Sequence, residues 1–193
     1  MARTSRIWIV PLTLSSGNGK VIQQGSTPRG SWWSFTSATR KSMSPDFKEI
    51  LSTFNEHEVK YLIVGAYAVI KYAEPRYTKD LDIWVEPSAD NAKRVYAALQ
   101  EFGAPMGDLT ESDFASDGFF QMGRPPVRID ILMSIDGVKF FDAWPNRQDG
   151  DFDGIPATFL SAEDLIANKS VSARPQDIID IESITNARLR DKS

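Results

Sequence analysis

Tyr61-Leu-Ile-Val-Gly-Ala-Tyr-Ala-Val-Ile-Lys-Tyr72, followed by Pro75-Arg-Tyr-Thr-Lys-Asp-Leu-Asp-Ile-Trp-Val85, decides how this chain folds. Residues 61–64 are an apolar run bounded by a glycine, which predicts a buried strand. Residues 65–73 follow as a short helix, and 81–86 as a second strand. Side chains alternate along a strand, so Leu81, Ile83 and Val85 share one face while Asp80, Asp82 and Trp84 share the other. Two carboxylates on one face repel each other, and a divalent cation relieves that repulsion. Val127-Arg-Ile-Asp-Ile-Leu-Met133 repeats the pattern. Val127, Ile129, Ile131 and Met133 are expected on one side, Arg128 and Asp130 on the other.

Working outward, Phe47, Ile50, Leu51 and Phe54 recur at helical spacing and predict a helix over 45–57. Ser88 is placed to cap a helix reaching Phe102, whose inner stripe is Ala92, Val95, Tyr96 and Leu99. Residues 103–118 read as a loop, 119–122 as a short strand, 149–154 as an acidic glycine-containing turn, and 155–160 as extended. Ser161-Ala-Glu-Asp164 opens a further helix, and Pro175 opens the last, to about Arg188. Helices alternating with strands give an α/β (α+β) class, a mixed sheet flanked by helices.

The 193 residues suit one globular domain, and the absence of cysteine excludes disulfides and cysteine-held metals. A single histidine leaves no zinc site of ordinary composition. No apolar run spans a membrane, so a cytoplasmic protein is expected. Charge is divided unevenly. Residues 1–42 carry Arg3, Arg6, Lys20, Arg29, Arg40 and Lys41 and no acid; the remainder holds 16 basic and 26 acidic residues, net −10. Such a body is poorly suited to nonspecific nucleic-acid binding. Residues 1–42 read as a disordered basic extension and 43–193 as the functional domain, with Met43 the expected functional start because Ser44-Pro-Asp46 is a good helix start.

The glycine turn at Gly65 and Ala66 lies between a strand and a helix, where free N–H groups and the positive end of the helix dipole suit phosphate. Asp80, Asp82 and Asp130 would bind Mg²⁺ through oxygen, in a two-ion arrangement for phosphoryl chemistry. Arg76 and Thr78 lead into the carboxylate strand. Arg76 suits either a nucleotide phosphate or a neighbouring carboxylate. Lys169 shares a helix face with Leu165 and Ile166, and a lysine aimed inward needs an anion.

Strand, glycine turn, helix, Asp-x-Asp and a later strand aspartate together resemble the nucleotidyltransferase superfamily typified by DNA polymerase beta. Val64-Gly-Ala-Tyr-Ala68, Pro75-Arg-Tyr-Thr-Lys-Asp-Leu-Asp82 and Arg128-Ile-Asp-Ile-Leu132 are similar to the minimal bacterial members related to AbiEii-type toxins. The resemblance runs from about Phe47 to Ile184. It implies that Asp80, Asp82 and Asp130 are catalytic metal-binding carboxylates, with a nucleoside triphosphate as substrate. It further implies that Lys169 holds the triphosphate and that Asp177 assists the acceptor or orients Lys169. The other reading of this pair is a structural one, Lys169 or Arg174 with Asp177 or Asp180 stapling two helices. The acceptor implied is a hydroxyl of a protein or tRNA, within a toxin–antitoxin or phage-defence pair that supplies an antitoxin or toxin partner. Ala66 stands where the superfamily has Gly or Ser. The alternative function is therefore a binding or regulatory subunit with weakened catalysis.

Overall fold

The computed structural model describes residues 44–124 and 127–190. The expectations for the extension 1–42 and for a start at Met43 lie outside the described residues. In chain order the elements are α1 (Pro45–Glu56), β1 (Tyr61–Ile63), α2 (Gly65–Tyr72), β2 (Asp80–Val85) and α3 (Ala89–Phe102), then β3 (Phe119–Arg124), β4 (Val127–Leu132), α4 (Phe140–Ala143), β5 (Gln148–Phe152), β6 (Ile155–Phe159), α5 (Ala162–Ser172) and α6 (Pro175–Arg190).

Among the described residues the strands make one six-stranded sheet in the order β3-β4-β2-β1-β6-β5. β2 runs parallel to β4 and β1 parallel to β6, while the β1–β2, β3–β4 and β5–β6 pairs are antiparallel. The sheet is therefore mixed, as the sequence predicts. Alternation divides its apolar residues between two layers. Tyr61, Ile63, Leu81, Ile83, Val85, Ile129 and Ile131 pack against α1 and α3 through Phe47, Leu51, Phe54, Val95 and Leu99. On the opposite face Leu62, Val64 and Trp84 pack with Val69, Phe140, Leu165 and Ile184 from the other helices. The Trp84 indole N–H donates to the Met133 carbonyl (3.3 Å), so the one polar atom of this buried ring is satisfied.

Capping follows the sequence at α3 and α5, whereas Ser44 precedes α1 without a side-chain cap bond. Ser88 Oγ accepts from the Asn91 N–H at the start of α3, which ends on Gly103 in the left-handed region (φ 84°). Ser161 Oγ accepts from the Asp164 N–H and donates to the Asp164 carboxylate (2.7 Å), with aspartate in the usual Glu/Gln place of a capping box. One expectation is corrected. Residues 149–154 are not a turn throughout: 148–152 form β5, and only Asp153 and Gly154 make the turn to β6, at φ 52° and 92°. β5 is an edge strand with only Phe152 buried, so it lacks the apolar alternation by which strands are read. The predicted loop 103–118 also contains a 3₁₀ segment, Glu111–Ala115, held by a Thr110–Asp113 capping box.

Candidate active site

The site lies on the Trp84 face of the sheet, where three chain segments meet. β1 ends at Ile63, and the Val64 N–H donates to the Asp82 carbonyl (3.0 Å). This bond places the glycine turn beside the start of β2. β4 lies parallel to β2 on its other side in a register that pairs Asp80 with Arg128 and Asp82 with Asp130. Parallel neighbours in register point the same way, so Asp80, Asp82, Arg128 and Asp130 all project from one face.

Gly65 sits directly over the Asp82 carboxylate. A Cβ at this position would fall 2.0 Å from Asp82 Oδ2, and the backbone is left-handed (φ +59°). The turn thus needs glycine twice over, for backbone conformation and for contact distance. We expect Gly65→Ala to cost about 1–2 kcal/mol for the backbone alone, and more for the displaced carboxylate. A lowered melting temperature together with lost activity would check this; an unchanged variant would show that Asp82 sits elsewhere. Ala66, next along, is buried. The first helical bond of α2 runs from the Ala68 N–H to the Val64 carbonyl (3.4 Å). The N–H groups before Ala68 therefore lack helical partners.

The three carboxylates differ in their surroundings. Asp82 receives no side-chain hydrogen bond or ion pair among the described residues. Burial, then the charges of Asp130 and Asp80, push its carboxyl up to about 7. Asp130 is buried and also raised, chiefly by burial, against the pull of the Gln121 amide N–H, which donates to its Oδ1 (2.9 Å), and of Arg128. Asp80 accepts from Arg128 Nη2 (2.9 Å), and Arg128 Nε lies 3.3 Å from Asp130 Oδ1. The guanidinium therefore stands between Asp80 and Asp130. Among the described residues no three His, Cys, Asp or Glu side chains are gathered closely enough to hold an ion as they stand. The donor chemistry nonetheless suits a hard divalent cation. All ligands would be carboxylate oxygens, and at Asp82 the charges of Arg128 and Lys169 only partly offset burial and the two neighbouring carboxylates.

An open pocket of about 320 Å³ extends from Gly65 and Asp82 to α5 and α6, where Lys169, Ser172, Arg174 and Asp177 line it. Lys169 is buried, as its place on the apolar face of α5 predicts. Its Nζ donates to Asp177 Oδ1 (2.7 Å) and lies 2.8 Å from Asp180 Oδ2. Asp177 also accepts from the Ser172 hydroxyl (2.8 Å) and the Arg174 N–H (3.2 Å). Burial alone would raise both carboxyls. The Lys169 and Ser172 hydrogen bonds at Asp177, and the Lys169 and Gln176 hydrogen bonds at Asp180, bring both below the ordinary range instead.

Arg76 reaches the same cluster, with Nη2 donating to Asp180 Oδ2 (3.0 Å) and Nε 3.0 Å from Oδ1. Of its two sequence readings, the carboxylate brace is the arrangement found here. Thr78 makes a local contact, its hydroxyl donating to the Asp80 carbonyl (3.3 Å). His57, the single histidine, takes no part in this site and contacts Glu101 (2.8 Å). Gln121 escaped site assignment in the sequence, and Asp180 was named there only as a stapling partner of Lys169 or Arg174. Gln121 reaches Asp130 only through the β3–β4 register, and its type carries no signal of its own.

Residues 42–189 match the family described as nucleotidyltransferase of unknown function (DUF6036). Among solved structures the chain is similar to the lincosamide antibiotic adenylyltransferase LnuA, crystallised with lincomycin bound. The TM-score is 0.50 at 16% identity, over 77% of this chain and 99% of that one. It is similar also to the antibiotic-resistance factor ANT(2'')-Ia, solved in solution, with a TM-score of 0.47 at 18% identity over 74% of this chain and 80% of that one. No curated protein matches the chain by sequence. At this identity the likeness to LnuA speaks to fold, a mixed sheet flanked by helices.

Proposed function

The chain belongs to this nucleotidyltransferase family, an enzyme family, and from that membership we propose that it moves a nucleoside monophosphate from a nucleoside triphosphate to an acceptor hydroxyl in a Mg²⁺-dependent reaction. The observation that carries the residue assignment is the paired register of Asp82 and Asp130 beneath Gly65. Asp80, Asp82 and Asp130 would hold the ions, two by the sequence resemblance, and these would neutralise charge on the carboxylates and the triphosphate. The residues themselves do the rest. Gly65, Ala66 and the start of α2 face phosphate oxygens with unpaired N–H groups. Lys169 and Arg174 bring positive charge to the far side of the pocket, and Asp177 fixes Lys169. Arg76 and Thr78 act behind this, Arg76 by tying Asp180 to the segment before β2 and Thr78 by holding the entry to that strand. Asp130, more basic than an ordinary carboxylate and oriented by Gln121, accepts the proton of the acceptor hydroxyl.

The acceptor we favour is a protein or RNA hydroxyl. The −10 charge of residues 43–193 weighs toward protein, because a polynucleotide would meet repulsion over most of that surface. A toxin–antitoxin or phage-defence setting rests on the AbiEii-like sequence segments, and an antitoxin-like reading frame beside the coding sequence is its simplest check. A cytoplasmic location accords with the described helices, none of which is long and apolar enough to cross a membrane.

The test is incubation with each of the four α-³²P-labelled nucleoside triphosphates, Mg²⁺ and candidate acceptors. Label transferred to acceptor by the native chain, and absent with Asp80→Ala, is the expected result. No transfer to any acceptor, together with no nucleotide binding by calorimetry, would favour the binding or regulatory subunit to which Ala66 points.

A further inference from the structure

Arg128 has no part in the function proposed above, yet it makes the most direct contacts to the carboxylates. It lies on β4 two residues before Asp130 and opposite Asp80 in the parallel register, so its side chain crosses the space between them. Nη2 donates to Asp80 Oδ2 at 2.9 Å, whereas Nε, 3.3 Å from Asp130 Oδ1, is buried without a well-formed hydrogen bond. One good bond and one misaligned contact make this a grip that can be released. The side chain is one-third exposed (34%), which leaves a way out to solvent.

Resting on the carboxylate reading, we propose that Arg128 is a resident cation that holds Asp80 and Asp130 before loading and must leave for a divalent ion to bind both. A single charge spread over a planar guanidinium offsets the repulsion of two carboxylates only in part. A compact divalent ion bound by the same oxygens offsets it fully and expels a like charge from its side. Arg128 thereby sets the ion concentration at which the site fills. It also keeps the carboxylates apart from free ions until the nucleotide contributes further ligands.

The experiment is a Mn²⁺ titration of the full chain without nucleotide, followed by electron paramagnetic resonance of the free ion. Arg128→Gln is expected to bind Mn²⁺ at least fivefold more tightly than the native chain, and Arg128→Lys to lie between them. Lys79→Gln controls for charge alone, since Lys79 adjoins Asp80 in sequence but places its ammonium over the Tyr77 ring, 5.8 Å from its centre. A shift under fivefold in Arg128→Gln, or an equal shift in Lys79→Gln, overturns the inference. Should Arg128→Gln fail to fold, the native chain supplies a second readout through arginine modification by phenylglyoxal, followed by mass spectrometry. Saturating Mn²⁺ is expected to raise labelling at Arg128; unchanged or reduced labelling overturns the inference. Binding of Mn²⁺ to none of these proteins removes the ion site and the inference with it, whereas equal binding to all removes the inference alone.

Discussion

Asp82→Asn is expected to lower nucleotidyl transfer by on the order of 10³-fold or more, and at the same time to stabilise the folded chain above neutral pH. The two effects have one cause. Asp82 lines the pocket without an ion pair among the described residues, and burial with the charges of Asp130 and Asp80 outweighs Arg128 and Lys169 to bring its carboxyl from the ordinary 3.8 to about 7. The sign follows from which state holds the proton. Below about pH 4 both the folded and unfolded chains carry it. Between there and about pH 7 the folded chain keeps a proton that the unfolded chain has released, so stability falls as pH rises through this window. Above it the loss is complete. Asn carries no charge and escapes that loss. We expect a gain of about 1–3 kcal/mol at pH 8, discounted for partial solvent access at the pocket, and no gain at pH 4. Melting curves of both proteins at the two pH values measure it. Saturating Mg²⁺ should shrink the difference by stabilising the native carboxylates. A variant that is less stable than the native chain at pH 8 would mean that the Asp82 charge is already compensated.

Lys169→Met is expected to cost stability instead, by about 3–5 kcal/mol, because one buried cation serves two buried carboxylates. Among the described residues Asp177 and Asp180 would keep their neutral hydrogen bonds but have Arg76 as their one remaining cation, and Arg76 pairs with Asp180. At this chain length that cost is a fall in melting temperature of roughly 6–20 °C. The effect should fade on acidification. Both carboxyls are held below the ordinary range in the folded chain, so the stability they contribute is present at neutral pH and is lost as pH falls through their folded values. Arg174→Met is the informative partner. Arg174 lines the same pocket, but its exposed guanidinium forms no ion pair among the described residues. Its removal should change stability by less than about 0.5 kcal/mol while weakening nucleotide binding. Equal effects of the two substitutions on melting would contradict this division of labour.

The parts of the site that follow from local periodicity were legible in the sequence. Asp80, Asp82 and Trp84 share a face because strand side chains alternate, and so do Arg128 and Asp130. Lys169 turns inward because its helix face is apolar. The parts set by register and helix packing were not. Alternation excludes a slip of one residue, but nothing local says that Asp82 stands opposite Asp130 rather than two residues off, or that Gln121 reaches Asp130 across a hairpin. Arg128 appeared only as a basic residue on the polar face, since its lodging between two carboxylates depends on the β2–β4 pairing. The choice between Lys169 and Arg174 as partner of Asp177 and Asp180 likewise waited on how α5 meets α6. β5 was hidden for a different reason, because an edge strand of Asp and Gly residues has the composition of a turn.

Calorimetric titration of the full chain with a nucleoside triphosphate, with and without Mg²⁺, tests the carboxylate assignment without requiring the acceptor. The account predicts one site per chain that needs the divalent ion and is lost in Asp82→Asn. Nucleotide bound equally well without the ion, or equally well by Asp82→Asn, would contradict it.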